Sequence, residues 1–159
     1  MKIELSKDTE GEIVIGGAID EKFSGFSENL YNMVEKIGGK VAMDIEEVVS
    51  MNSVGTSYWL KFLESIPSSI HLSFKKCQPS YINYINMIPF KADSWSIFSL
   101  FVPYECEHCG NEWSEIVEIN DAESADSFGE FDEVDCVKCR TSTFAAEEAA
   151  DYLIFLDHK

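Results

Sequence analysis

A chain of 159 residues with 45% hydrophobic and 13% aromatic residues can build the core of one ordinary domain, or of one compact domain with a small module. Its 29 acidic and 12 basic residues leave a formal net charge of −17. Such a surface repels phosphate backbones and anionic lipid, so the expected partners exclude nucleic acid and membrane, and what remains is solubility or a basic partner.

Residues 1–12 lack a basic segment followed by an apolar one, and no apolar run reaches membrane-span length, so neither a secretory leader nor a membrane helix is expected. Ile3, Glu4 and Leu5 alternate as a short strand, a turn follows around Asp8 and Gly11, and residues 12–15 form a second strand. Gly16-Gly17 marks a bend or bulge. Phe26, Leu30, Met33, Val34 and Ile37 recur at helical spacing, and Gly38-Gly39 closes that helix. KVAMDI (40–45) reads as a central strand buried on both faces.

Residues 53–66 are helical, with Leu60, Leu63 and Ile66 on one side and Pro67 as the stop. IHLSF (70–74) alternates as a strand. Pro79 fits a first helical turn, Tyr81, Ile82 and Ile85 form the apolar stripe of a short helix, and Pro89 ends it. Residues 96–104 form a strand running directly into Cys106. Trp113, Ile116, Val117 and Ile119 supply a further strand, and residues 145–156 read as a last helix with Ala149, Tyr152, Leu153 and Leu156 on one face. The trp residues Trp59, Trp95 and Trp113 are expected to pack, and the acidic run 115–135 reads as a solvated hairpin or a site for a basic partner. Strand-helix alternation after an opening hairpin predicts an α/β domain with a mixed sheet over 1–102, followed without a flexible linker by a module over 103–159.

The module carries the clearest chemical signal. Cys106/Cys109 and Cys136/Cys139 are two CxxC pairs separated by 26 residues, and they use four of the five cysteines. A two-residue gap lets one tight turn aim both sulfurs at one ion, and four thiolates complete a tetrahedral structural zinc site. Zn²⁺ is therefore the expected cofactor, in a zinc ribbon whose intervening residues form a hairpin. A rubredoxin-type iron centre is one rival, and thiol-disulfide chemistry, which favours a helix N-terminus after a strand, is another. His108 is expected to be exposed rather than a ligand, with Lys138 and Arg140 offsetting charge at the second pair. Cys77 reads as a small buried side chain. Free thiols and a thiolate metal site suit a reducing, cytoplasmic compartment. No phosphate loop, dinucleotide fingerprint or convergent acid-base pair stands out, so no catalytic residue is assigned.

VAMDIEEVVSMNSVGTSYWLKFL (41–63) resembles the core of STAS domains, the anti-sigma factor antagonist fold, in which a buried strand ending in an acid leads to Asp-Ser-x-Gly at a helix start. Asp44 closes the strand, and Asn52-Ser53-Val54-Gly55 stands at the motif. Gly17-Ala18-Ile19-Asp20 resembles the ending of the family's second strand, and the likeness covers roughly residues 3–102. Cys77-Gln78-Pro79-Ser80, Ile85 to Pro89 and SLFVPYECEHC (99–109) look like a group of bacterial STAS-like proteins in which a CxxC ribbon follows the domain.

The resemblance implies a non-enzymatic regulator that binds a protein partner, such as an anti-sigma-factor-like kinase. Ser53 is the implied phospho-acceptor, and Asn52, Gly55, Thr56 and Tyr58 are the implied partner-binding residues. Added phosphate would bring nearly two negative charges to a helix N-terminus. Asn52 stands where active members carry Asp, so Ser53 reads either as that switch or as a simple helix cap. The alternative function is an acidic scaffold or homodimeric assembly protein, joined through the sheet edge or the helix around residues 58–63.

Overall fold

The computed structural model describes residues 1–6, 11–87, 94–119 and 124–158. Residues 8–10 of the expected turn around Asp8 to Gly11, and the helix stop at Pro89, lie outside them. The fold belongs to the mixed α/β class. A five-stranded sheet runs in the order β1 (Lys2–Leu5), β2 (Glu12–Ile19), β3 (Lys40–Met51), β4 (His71–Lys75) and β5 (Trp95–Ile97). Only β1–β2 is antiparallel; the remaining neighbours are parallel and are joined by helical crossovers, as parallel pairing requires. The crossovers carry α1 (Ser27–Ile37), α2 (Ser53–Ser65) and α3 (Pro79–Asn86). Register shifts in β2 on either side of Gly16 and Gly17 place the bulge where the paired glycines predict it.

The sheet has one apolar and one polar face. Ile13, Met43, Phe74 and Ile97 form a buried row across four strands. Trp59 of α2 and Tyr81 of α3 both meet Phe74, at ring-centroid distances of 5.8 Å, and Trp59 Nε1 donates to the buried Tyr81 hydroxyl at 3.2 Å. The opposite face carries the row Glu12, Ala42, Ser73 and Ser96, and beside it Asp44 and Lys75. Lys75 pairs with Glu12 at 2.9 Å, and Lys76 is held between Asp44 at 2.8 Å and Glu46 at 2.7 Å. The central strand is thus not buried on both faces: Val41, Met43 and Ile45 are fully buried on one, while Ala42 and Asp44 are half-buried on the other, which carries ion pairs.

The inward stripe of α2 is Gly55, Trp59, Phe62, Leu63 and Ile66, with Leu60 only half-buried. Gly55 is there for closeness, not for backbone freedom. A Cβ at this position would lie 2.0 Å from the Ile19 carbonyl oxygen and 2.7 Å from the Asp20 nitrogen. The helix therefore starts directly against the end of β2.

The chain leaves β5 through Phe98 and continues as β6 (Ser99–Glu105), which pairs with β7 (Glu112–Glu118). A parallel bridge from Cys77 to Leu100 ties β6 to the end of β4. After β7 the return is not one hairpin: it passes through the short helix α4 (Ala125–Phe128) to β8 (Val134–Asp135) and β9 (Ser142–Thr143). The expected helix over 145–156 is also broken. Ala145 forms an isolated antiparallel bridge with Tyr104, and Ala146 donates to the Pro103 carbonyl at 2.9 Å. Only Ala149–Tyr152 is α-helical (α5), and Ile154–His158 is a 3-10 turn. The break has a cause: Asn86 Oδ1 takes the Phe155 N–H at 3.0 Å, while its Nδ2 donates to the Tyr152 carbonyl at 3.0 Å. Tyr152 in turn donates to the Phe101 carbonyl at 2.7 Å. The tail thus fastens α3 to β6, and a single apolar core runs from Ile13 to Leu156.

Replacing Gly55 by alanine forces α2 off the sheet and is expected to lower stability by about 1–3 kcal/mol, read as a fall in the urea midpoint. Gly25→Ala, where an added Cβ meets nothing within 4 Å, is the matched control and should leave that midpoint nearly unchanged.

Candidate metal centre

Two backbone turns of the same design hold the four cysteines. In the first, the Cys106 N–H donates to the Asn111 carbonyl at 2.9 Å and the Gly110 N–H donates to the Cys106 carbonyl at 2.7 Å. In the second, the Cys136 N–H donates to the Thr141 carbonyl at 2.9 Å and the Arg140 N–H to the Cys136 carbonyl at 2.9 Å. Both turns need a left-handed residue immediately after the second cysteine. Gly110 supplies it at φ 66° and Arg140 at φ 63°. Glycine takes this conformation freely, whereas a side-chain-bearing residue does so at a cost of about 1–2 kcal/mol. The Arg140 turn therefore forms under constraint from its surroundings.

The turns bring all four sulfurs within 4.8 Å of one another. The nearest neighbours come from opposite turns, Cys106 with Cys139 at 3.5 Å and Cys109 with Cys136 at 3.7 Å. A tetrahedral ion with metal–sulfur bonds of about 2.3 Å requires sulfurs about 3.8 Å apart. The spacing fits that geometry and is far beyond the ~2.05 Å of a disulfide. Cys106 and Cys136 are buried, and Cys109 and Cys139 are half-buried. Thr141 Oγ1 lies 3.3 Å from the Cys139 sulfur; this hydroxyl and the Thr141 amide draw Cys139 down to about 6, while burial pushes the Cys109 thiol up to about 12. Four thiols this close resist joint ionisation, and a divalent cation removes the conflict by taking all four as thiolates. The residues present therefore fit a metal ion of the kind zinc exemplifies. With four sulfurs bound, such an ion would crosslink the two turns and keep no coordination position open.

His108 is exposed and stands outside the sulfur cluster. Cys77 is fully buried, which holds its thiol well above the ordinary range. Trp113 stacks on Tyr104 beside the first turn, with centroids 5.5 Å apart and planes 20° from parallel. Tyr104 donates to the Asp132 carbonyl at 2.8 Å, so one aromatic pair braces both approaches to the centre. The sequence marks these two rings only as apolar members of strands; their stacking follows from the register that places Tyr104 opposite Trp113.

The remaining candidate residues lie at the start of α2. Asn52 is the cap: its Oδ1 accepts the Gly55 N–H at 2.8 Å, and its Nδ2 is 3.4 Å from Glu21 Oε2. Ser53 is the first helical residue and exposed, so the cap reading assigned to Ser53 belongs to Asn52. The Thr56 hydroxyl donates to the Asn52 carbonyl at 2.8 Å. Tyr58 is half-buried in a shallow cleft of about 420 Å³ between α1 and α2, shared with Tyr31 and Lys61. Trp59, Phe62 and Leu63 of the same helix are in the core.

Comparison of the chain with family models, with curated proteins and with solved structures found no match. Among the described residues, no helix is long and apolar enough to cross a membrane.

Serine at either Cys106 or Cys136 leaves three sulfurs, two of them in one turn. Metal content should fall from one ion per chain to a small fraction under mild chelation. Hydrogen exchange should then quicken across residues 106–143 while residues 41–75 keep their protection. Unchanged protection across 106–143 in a metal-free variant would show that the ion does not hold this region.

Proposed function

We propose that this chain is a non-enzymatic regulatory protein of STAS-like type, with a STAS-like domain over residues 1–102 and a zinc ribbon over residues 103–159. In this reading it works in the cytoplasm by docking a protein partner, such as an anti-sigma-factor-like kinase or a related regulator. Zinc at Cys106, Cys109, Cys136 and Cys139 has a structural part, because four thiolates saturate it.

The observation that carries the reading is the exposure of Ser53 at a helix start that is otherwise immobilised. Asn52 caps α2, Gly55 seats it on Ile19, and Trp59 anchors it in the core. What remains outward is Ser53 with Val54, followed by half-buried Thr56 and Tyr58. Rigid presentation of a small polar surface suits recognition, since little ordering entropy is lost on docking. Phosphate on Ser53 would place nearly two negative charges at the N-terminus of α2, close to the Glu21 carboxylate that already contacts Asn52. The helix end favours that charge while Glu21 opposes it, so the balance changes the surface that a partner reads.

Affinity capture from the native cell, followed by binding assays with the retained kinase-like protein, tests the reading. Tyr58→Ala should weaken binding about tenfold, the loss of one well-packed aromatic contact. Ser53→Asp should weaken it further if phosphate is the switch. Full binding by both variants, with no phosphate on Ser53 in cells, would remove the α2 surface from the account.

A further inference from the structure

The negative charge of this chain is concentrated in one place. Residues 103–159 hold sixteen of its 29 acidic residues and three of its 12 basic ones. Two clefts open on this part of the molecule, of about 740 and about 720 Å³, and they meet along Phe144, Ala145 and Ala146. The first is walled by Asp126, Glu130, Glu147 and Glu148. The second is walled by Glu105 at the end of β6 and Glu107 of the first cysteine turn. Among the described residues, no lysine or arginine lines either cleft. Phe144 stands in the shared stretch with 70% of its surface exposed, and Ala145 and Ala146 continue that apolar stretch. The floor is held by backbone: Ala145 pairs with Tyr104, and Ala146 donates to Pro103.

An apolar floor between acidic walls selects the chemistry of its occupant. The carboxylates do not converge on one point: among the described residues, the four cysteines are the one group close enough to share a metal ion. A single cation is thus a poor match for walls spread along two joined clefts. A second copy of the chain would bring the same excess of negative charge against them. Lysine and arginine side chains fit both features, because their aliphatic stems pack on apolar surface while the charged head reaches a carboxylate or an aromatic face.

We propose that this trough docks an extended lysine- or arginine-rich segment of a partner protein, with its stems on Phe144 and the alanines and its cationic heads between the carboxylate walls. The surface is separate from the one around Asn52 to Tyr58, so the two docking ideas stand or fall independently.

The test is fluorescence anisotropy with the full metal-loaded chain and a labelled peptide of about ten residues that alternates lysine and valine. The unaltered chain should bind this peptide and should not bind the glutamate-for-lysine counterpart. Glu147→Lys with Glu148→Lys should weaken binding about tenfold or more, and Phe144→Ala about threefold or more. All three residues are exposed, so the variants should fold normally. Glu35→Lys with Glu64→Lys makes the same change in net charge outside the trough, and should stay within about twofold of the unaltered chain. Equal weakening by both charge-reversal pairs would reduce the effect to net charge and overturn the proposal. So would unaltered binding in Phe144→Ala, or failure of the unaltered chain to bind. If the trough variants instead abolish self-association, seen by sedimentation, the occupant is a second copy and the proposal is equally overturned.

Discussion

Four sulfur atoms from two distant turns share one point in space, and the C-terminal third of the molecule is organised around that closure. Cys106 meets Cys139 and Cys109 meets Cys136, so two short sulfur contacts link the turn at the end of β6 to the turn before β9. Beyond the β6–β7 pair, secondary structure supplies little there. β8 and β9 are two residues each, and α4 and α5 are four residues each. Elements this short cannot close a core alone, and a structural ion stabilises a small module that lacks one. The rest of the support comes from α3 and β6: Asn86 of α3 holds the tail, Tyr152 reaches Phe101 of β6, and Tyr104 of β6 reaches Asp132.

The larger sheet has a different logic. Aromatic rings of α2 and α3 pack at tilted angles on one face, while ion pairs and hydroxyls line the other. This asymmetry leaves the ends of the strands, not the faces, as the places where side chains are presented. The start of α2 is one such place, and its rigidity comes from contacts that the exposed residues do not make themselves. Residues available for recognition are therefore separable from those that hold the fold: Ser53 can change without disturbing Gly55 or Trp59.

The parts of the fold with strong local signals were readable from the sequence. The α1 stripe with its glycine cap, Pro79 at the start of α3, the paired glycines at the β2 bulge and the CxxC pairs each act through neighbours a few residues away. Failures came where distant groups decide. The compact apolar run over 40–45 could not show that one face of β3 is polar, because Lys76, which pairs with Asp44 and Glu46, is brought there by packing. A helical apolar pattern over 145–156 could not reveal that Pro103 and Asn86 would claim its backbone groups. Ser53 looked like a cap because serine caps helices well, yet Asn52 one residue earlier holds that position. The acidic trough was partly visible as charge, but its floor depends on the bridge between Ala145 and Tyr104.

Charge and metal are coupled in this arrangement. A four-thiolate centre with a divalent ion carries net negative charge in a region already rich in carboxylates, and Lys138 and Arg140 are its nearest basic residues in sequence. Such a centre would draw its stability from bond strength and backbone turns, not from the surrounding field. X-ray absorption at the metal edge of the purified, unaltered chain tests this most directly. The account predicts one zinc ion per chain with four sulfur neighbours at about 2.3 Å and no lighter ligand. A protein that folds with no stoichiometric metal, or an ion surrounded by oxygen and nitrogen, would contradict it.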